Sequence, residues 1–213
     1  MKHKTNQTGM TLIEIMIALL IGAFLLGGVL QIFTGSQQTY QMQQNLSRLQ
    51  ENGRFAIDFL AHDSRMAGYR ECLTYTVPTP ITGTNDTGLN SSDTITIQLS
   101  TGACGASVLS TIAYSVQADV SGQPALFVKN DAAAAQALIE GIENMQILYG
   151  VDTDADGSVN YYVSANNVAD MSKVVSIRIT LTARTLDGNL TTIGDGRIRR
   201  DFTTTIALRN RLP

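Results

Sequence analysis

The chain has 213 residues, a formal net charge of −3 and only 15% charged side chains, so it offers no global basic surface for nucleic acid. That length suits one long helix and one modest head domain. Trp is absent, aromatic residues are 6%, and Thr, Ser, Asn and Gly crowd the second half, a composition suited to strands and turns outside the cytoplasm.

Lys2, His3 and Lys4 open the chain. Gly9-Met10-Thr11-Leu12-Ile13-Glu14 follows, and then a run without charge from Ile15 to Leu30. Between Met10 and Phe33 the only strongly polar residues are Thr11, Glu14 and Gln31. As a helix, this stretch is roughly 36 Å long, enough to cross a hydrocarbon core of about 30 Å. A soluble core helix rarely stays apolar on every face for so long. A removable secretory signal has an apolar region of about 7–15 residues and ends at a small-residue site. This run is longer and no A-x-A pattern follows it. The basic residues ahead of it predict a cytoplasmic N-terminus and an exported remainder. Glu14 is the anomaly. A carboxylate in lipid costs a few kcal/mol, so it calls for a function and a named partner. Cleavage between Gly9 and Met10 gives Met10 a free α-amine one helical turn away. That amine can pair with its own Glu14 or with Glu14 of a neighbouring copy shifted along the membrane normal.

Gly9-Met10-Thr11-Leu12-Ile13-Glu14 and the apolar helix together resemble the class III prepilin leader of type IV pilins and type II secretion pseudopilins. The resemblance implies that a membrane peptidase cuts after Gly9, that Met10 is then N-methylated, and that Glu14 guides subunit docking. The departure is Met10, where the family usually has Phe.

Residues 34–70 are polar, free of proline and rich in helix formers. Met42, Leu46, Leu49, Ala56, Leu60 and Ala67 recur at helical spacing, with Phe55, Phe59 and Met66 on an adjacent ridge. This predicts an amphipathic continuation of the helix, ending near Gly68. Gly53 interrupts the stripe, which predicts the close approach of another backbone there. Residues 76–93, with two prolines, read as a turn-rich loop. Alternation predicts strands over 94–99, 111–116, 125–129, 142–151, 173–184 and 199–209, with 159–163 as a hairpin partner. The alanine-rich stretch 131–138 reads as a short helix. The organisation is thus a leader (1–9), a transmembrane and assembly helix (10–33), an amphipathic continuation (34–70) and a β-rich periplasmic head (71–213). The fold class is α+β, a long N-terminal helix packed on an antiparallel sheet.

Two further stretches, RLQENGRFAIDFLAHDSRMAGYREC at 48–72 and FTTTIALRNRLP at 202–213, are similar to PilW-type minor pilins, as is YGVDTDADGSV at 149–159. This resemblance implies a pilin-like fold and a non-enzymatic subunit. It implies partners among the other minor pilins, the major pilin and the prepilin peptidase, with inner-membrane lipid around the helix before assembly. It also implies a place in a priming or tip complex serving twitching, adhesion or DNA uptake. Two alternatives remain, a minor pseudopilin and an anchored exported domain that binds a ligand or calcium.

Among candidate sites, Cys72 and Cys104 fall on the oxidising side of the membrane and predict a disulfide, against the alternative of two buried thiols. Asp152, Asp154, Asp156 and Asn160, with Gly157 for the sharp turn, resemble the start of an EF-hand loop. The twelfth position is Val163 rather than a bidentate Glu, which excludes a full EF-hand. A weak calcium site completed from elsewhere, Asp170 being one choice, stands against a plain Asp/Gly hairpin tip. No cofactor is required. His62-Asp63 has no nucleophile or second base beside it, and the sequence holds no P-loop, G-x-S-x-G or H-E-x-x-H pattern. Arg197, Arg199, Arg200, Arg209 and Arg211 form a basic cluster, read as strand residues balancing Asp195 and Asp201.

Overall fold

A computed structural model describes residues 9–211. Helix α1 runs from Leu12 to Arg65, 54 residues without a proline. The chain forms two compact units, one reaching Gln44 and the other beginning at Asn45. In the first, no described residue is buried. The second is the head, which includes the rest of α1 and all the strands.

Within the head, α1 buries Leu49, Ala56 and Leu60 of the predicted stripe, together with Gly53, Ala61 and Ser64, which the spacing did not single out; Leu46 is half-buried. Met42, by contrast, stays exposed, and Phe55 and Phe59 lie half-exposed beside the stripe. The helix stops at Arg65, short of the expected end. The N–H groups of Met66 and Ala67 turn back to Asp63 and Ser64, and Gly68 takes a positive φ of 75°. Its N–H then bonds Gln98, passing the chain to the sheet. At Gly53 it is the Phe202 ring, not a backbone, that approaches. A Cβ placed there would lie 2.2 Å from Phe202 Cε2.

The head holds two antiparallel sheets where the sequence suggested one. The first is a meander of β1 (Ile81–Thr84), β2 (Thr94–Thr101), β3 (Val108–Ala118), β4 (Pro124–Asn130) and β5 (Gln136–Glu140), in that order. The second comprises β6 (Ile142–Val151), β7 (Tyr161–Val163), β8 (Val174–Arg184) and β9 (Arg199–Ala207), ordered β7-β6-β8-β9. β1 lies inside the segment read as a loop. The alanine-rich stretch is not helical. Asp131 turns the chain at a φ of 49°, and Gln136–Glu140 then pairs with β4. A helix of so few residues would not recover its nucleation cost, whereas β4 offers a ready edge.

Gly141 alone separates β5 from β6. It sits at a φ of 79°, where a Cβ would meet Arg184 O at 2.8 Å. A second link joins the sheets. β7 pairs only with residues 149–151 of β6, leaving the first half of that edge open. Ser92 and Asp93 fill it: Asp93 N–H donates to Met145 O at 2.8 Å, and Ile147 N–H donates to Asp93 Oδ2 at 2.7 Å. Leu60 of α1, Ile95 and Ile97 of β2, Tyr114 of β3, and Ile147, Ile177 and Ile179 of the second sheet share one core.

Candidate functional site

The N-terminal segment is built on the start of α1. Gly9 and Met10 are exposed and precede the first helical residue. Thr11 O accepts the N–H groups of Glu14 at 3.1 Å and Ile15 at 3.2 Å, starting the ladder. Glu14 therefore sits in the first turn, where the positive end of the helix dipole favours a carboxylate. Thr11-Leu12-Ile13-Glu14 also has the spacing of a capping box, a local reason for an acid here that the apolar pattern alone does not reveal. The most apolar 18 residues of α1 are wholly unburied. The helix is long and apolar enough to cross a membrane, and its exposure sets it apart from the core helix of a soluble protein.

The head carries the remaining candidates. Cys72 and Cys104 are joined as a disulfide with a Cα–Cα distance of 5.0 Å. It closes the segment that contains β1 and β2 just after α1 ends. Asp63 links the end of α1 to the first sheet. Its Oδ2 accepts the buried Tyr114 hydroxyl at 2.6 Å, and its Oδ1 lies 2.9 Å from Nδ1 of the exposed His62. Burial, and then the Asp63 carboxylate, push the Tyr114 hydroxyl well above its usual range. The pair fastens the end of α1 to β3. Sequence reading missed it because its members lie 51 residues apart.

Asp152, Asp154 and Asp156 do converge, each offering a carboxylate oxygen within 4.8 Å of the others. That geometry is consistent with weak calcium coordination by hard oxygen ligands. The loop also closes by itself. Asp152 Oδ1 accepts Ala155 N–H at 2.7 Å and Oδ2 accepts Gly157 N–H at 2.9 Å. Asn160 Oδ1 turns to Thr153, accepting its N–H at 2.6 Å and its hydroxyl at 2.9 Å. Asp170 caps a short helical turn through Ser172 N–H and lies outside the converging group. Lys173 Nζ reaches Thr153 O at 3.5 Å, placing a positive charge beside the loop.

Three of the five C-terminal arginines, Arg197, Arg199 and Arg211, are held within the head, whereas Arg200 and Arg209 are exposed. Arg199 pairs with Glu143 at 2.6 Å and with Asp195 at 2.9 Å, and Arg184 reaches Glu143 at 3.1 Å. The Arg197 guanidinium donates to the carbonyls of Thr185 and Leu186, and that of Arg211 to those of Met171 and Ser172. Hydrogen bonds from Arg199 hold the Glu143 carboxyl below the usual range.

Comparison with known families separates the two ends of the chain. Residues 4–30 match the prokaryotic N-terminal methylation motif, which takes in Gly9, Met10 and Glu14. Residues 113–210 match the family model described as type IV pilus-assembly protein W. The C-terminal part is PilW-like. That match begins within β3 and includes the Asp152 loop and all of the second sheet. No curated protein and no solved structure matches the chain.

Proposed function

We propose that this chain is a minor pilin. The observation that carries the reading is the presence of both signatures on one chain: a methylation motif heading an unburied apolar helix, and a PilW-like region in the head that follows. The protein starts in the inner membrane with its N-terminus in the cytoplasm and its head in the periplasm. A prepilin peptidase cuts between Gly9 and Met10, and Met10 is N-methylated. The helix then leaves lipid for a bundle of like helices, and the subunit joins other minor pilins in a complex that primes assembly at the tip. Its role is structural and non-enzymatic. In lipid, Glu14 is a costly charge. Against the Met10 amine of an adjoining subunit it becomes a desolvated ion pair that fixes axial register.

Glu14→Ala provides the test. We expect the variant to be cleaved after Gly9 as wild type is, and to be depleted from sheared filaments while accumulating in the membrane. Mass spectrometry of the mature N-terminus reports cleavage, and immunoblots of sheared pili report incorporation. Wild-type levels of the variant in filaments would overturn the docking role. A retained leader in filament-borne wild-type protein would overturn the whole reading.

A further inference from the structure

The chain contains five N-x-Ser/Thr tripeptides, at Asn6, Asn45, Asn85, Asn90 and Asn189. Only Asn189 also has an acid two residues before it, in Asp187-Gly188-Asn189-Leu190-Thr191. The structure sorts the four in the described residues by whether the amide nitrogen is available. Asn45 is buried inside α1. The Asn85 amide donates to Asp86, and Thr87 is bonded to Thr84. The Asn90 amide donates to Glu143 O at 3.2 Å, and its partner Ser92 is fully buried. Asn189 is exposed, and its amide meets no hydrogen-bond partner among the described residues.

Its setting is a loop between β8 and β9 with a firm base and a loosely held tip. At the base, Thr185 N–H donates to Ile198 O at 2.9 Å, and Arg197 clamps the Thr185 and Leu186 carbonyls. At the tip, Leu190 and Thr191 each donate an N–H to Gly196 O, and Thr191 Oγ1 accepts Ile193 N–H at 2.9 Å. For the five residues to enter an enzyme cleft in extended form, these bonds must open together with those from the Thr185 hydroxyl to Asp187 O at 3.1 Å and from the Thr191 hydroxyl to Ile193 O at 3.5 Å, a handful of contacts confined to one loop. Ile193 is exposed, so opening the tip uncovers no core.

We propose that Asn189 is an acceptor for N-linked glycosylation. The donor is an oligosaccharide carried on a polyprenyl diphosphate, and the catalyst is an oligosaccharyltransferase on the outer side of the inner membrane. Asp187 supplies the charge that a basic side chain of the transferase can grip, and Thr191 supplies the hydroxyl read at the second position after the asparagine. The Asn189 amide nitrogen bonds to C1 of the reducing-end sugar. The bond from C1 to the diphosphate oxygen breaks, the polyprenyl diphosphate leaves with the electron pair, and the amide proton passes to a base of the transferase. This inference rests on the export of the head proposed above.

The test uses full-length protein from the membranes and filaments of its own cells, with thiols blocked at lysis. Peptides spanning residues 187–191 and both cysteines are read by mass spectrometry. We expect a glycan mass on Asn189. We further expect it to be lost in Asn189→Gln, Asp187→Ala and Thr191→Ala and kept in Asn85→Gln and Asn90→Gln. The side chains of Asp187 and Asn189 are exposed, so an unchanged thermal melt confirms that those variants fold. A bare Asn189 beside an intact Cys72–Cys104 disulfide overturns the acceptor proposal and leaves export standing. A bare Asn189 with reduced cysteines overturns both. A glycan that persists in Asn189→Gln also overturns the assignment.

Discussion

Gly53 shows how much one missing methyl group can decide. The Phe202 ring occupies the space where a Cβ would sit, so β9 rests directly on α1. Gly53→Ala gains about 1 kcal/mol of helix propensity. It also forces the ring out of a packed core, which typically costs 1–3 kcal/mol and on the present overlap lies near the upper end, about 3. We expect a net loss, seen as a melting temperature lower by about 2–4 °C per kcal/mol for a head of this size. Adding Phe202→Leu should recover part of the loss, whereas Phe202→Leu alone should destabilise. Glu143 makes a different prediction. Its folded pKa lies below the ordinary glutamate value of about 4.3 because Arg199 and then Arg184 bond the ionised form. A depressed carboxyl pKa contributes stability that is present above about pH 4.3 and is lost as the pH falls through the folded value. Glu143→Gln should therefore melt lower than wild type at pH 7. The gap should close as the pH falls below the ordinary glutamate value and through the lower folded one, where wild type loses the same contribution. Melting curves of both proteins across that range check the sign.

At the scale of elements, the sequence was most legible where one physical signal dominated. The alternation of Val175, Ile177, Ile179, Leu181 and Ala183 predicted β8, because the last four of these meet the core; at the strand's start it is Val174 that does. The apolar stripe predicted the head half of α1 for the same reason. Local signals failed where a neighbouring strand decided the outcome. Ala132, Ala133, Ala134 and Ala135 favour a helix locally, yet the edge of β4 draws the following residues into β5. Two prolines hid β1, which needs only four residues to pair with β2. The disulfide was expected from topology, which puts both cysteines on the oxidising side, with two buried thiols as the alternative; the approach of the two was not legible. Nor was the clasp of Ser92 and Asp93 on β6, since no period marks it. The disulfide has its own measurable consequence. In the chain-entropy model, a closure over 32 residues stabilises the head by about 3.7 kcal/mol. Cys72→Ser/Cys104→Ser should thus lower the melting temperature markedly and make residues 72–104 the first proteolysed. Limited digestion at matched temperature, followed by peptide mapping, locates the cut. Cleavage starting in the second sheet would show that the bridge does not hold this segment.

At the scale of the whole molecule, the two compact units require different surroundings. Between residues 9 and 44 no side chain is buried, and the first buried residue is Asn45. From there on the core is complete, because residues 45–65 bring Leu49, Ala56, Leu60 and Ala61 to both sheets. The apolar stretch of the first unit is unburied and has to find lipid or like helices, whereas the second unit has a core of its own. A fragment starting at Asn45 should consequently be soluble and should melt in a single cooperative transition with the disulfide formed. A fragment starting at Met66 should fail, although it retains every strand. It would leave Ile95, Ile97, Ile177 and Ile179 without the helix that covers them, at about 25 cal/mol for each Å² returned to water. Size-exclusion chromatography and thermal melts of the two fragments decide the matter. If the shorter one folds, α1 is an attachment to the head and not part of its core. If the longer one aggregates, residues 9–44 contribute a protection that their exposure does not reveal.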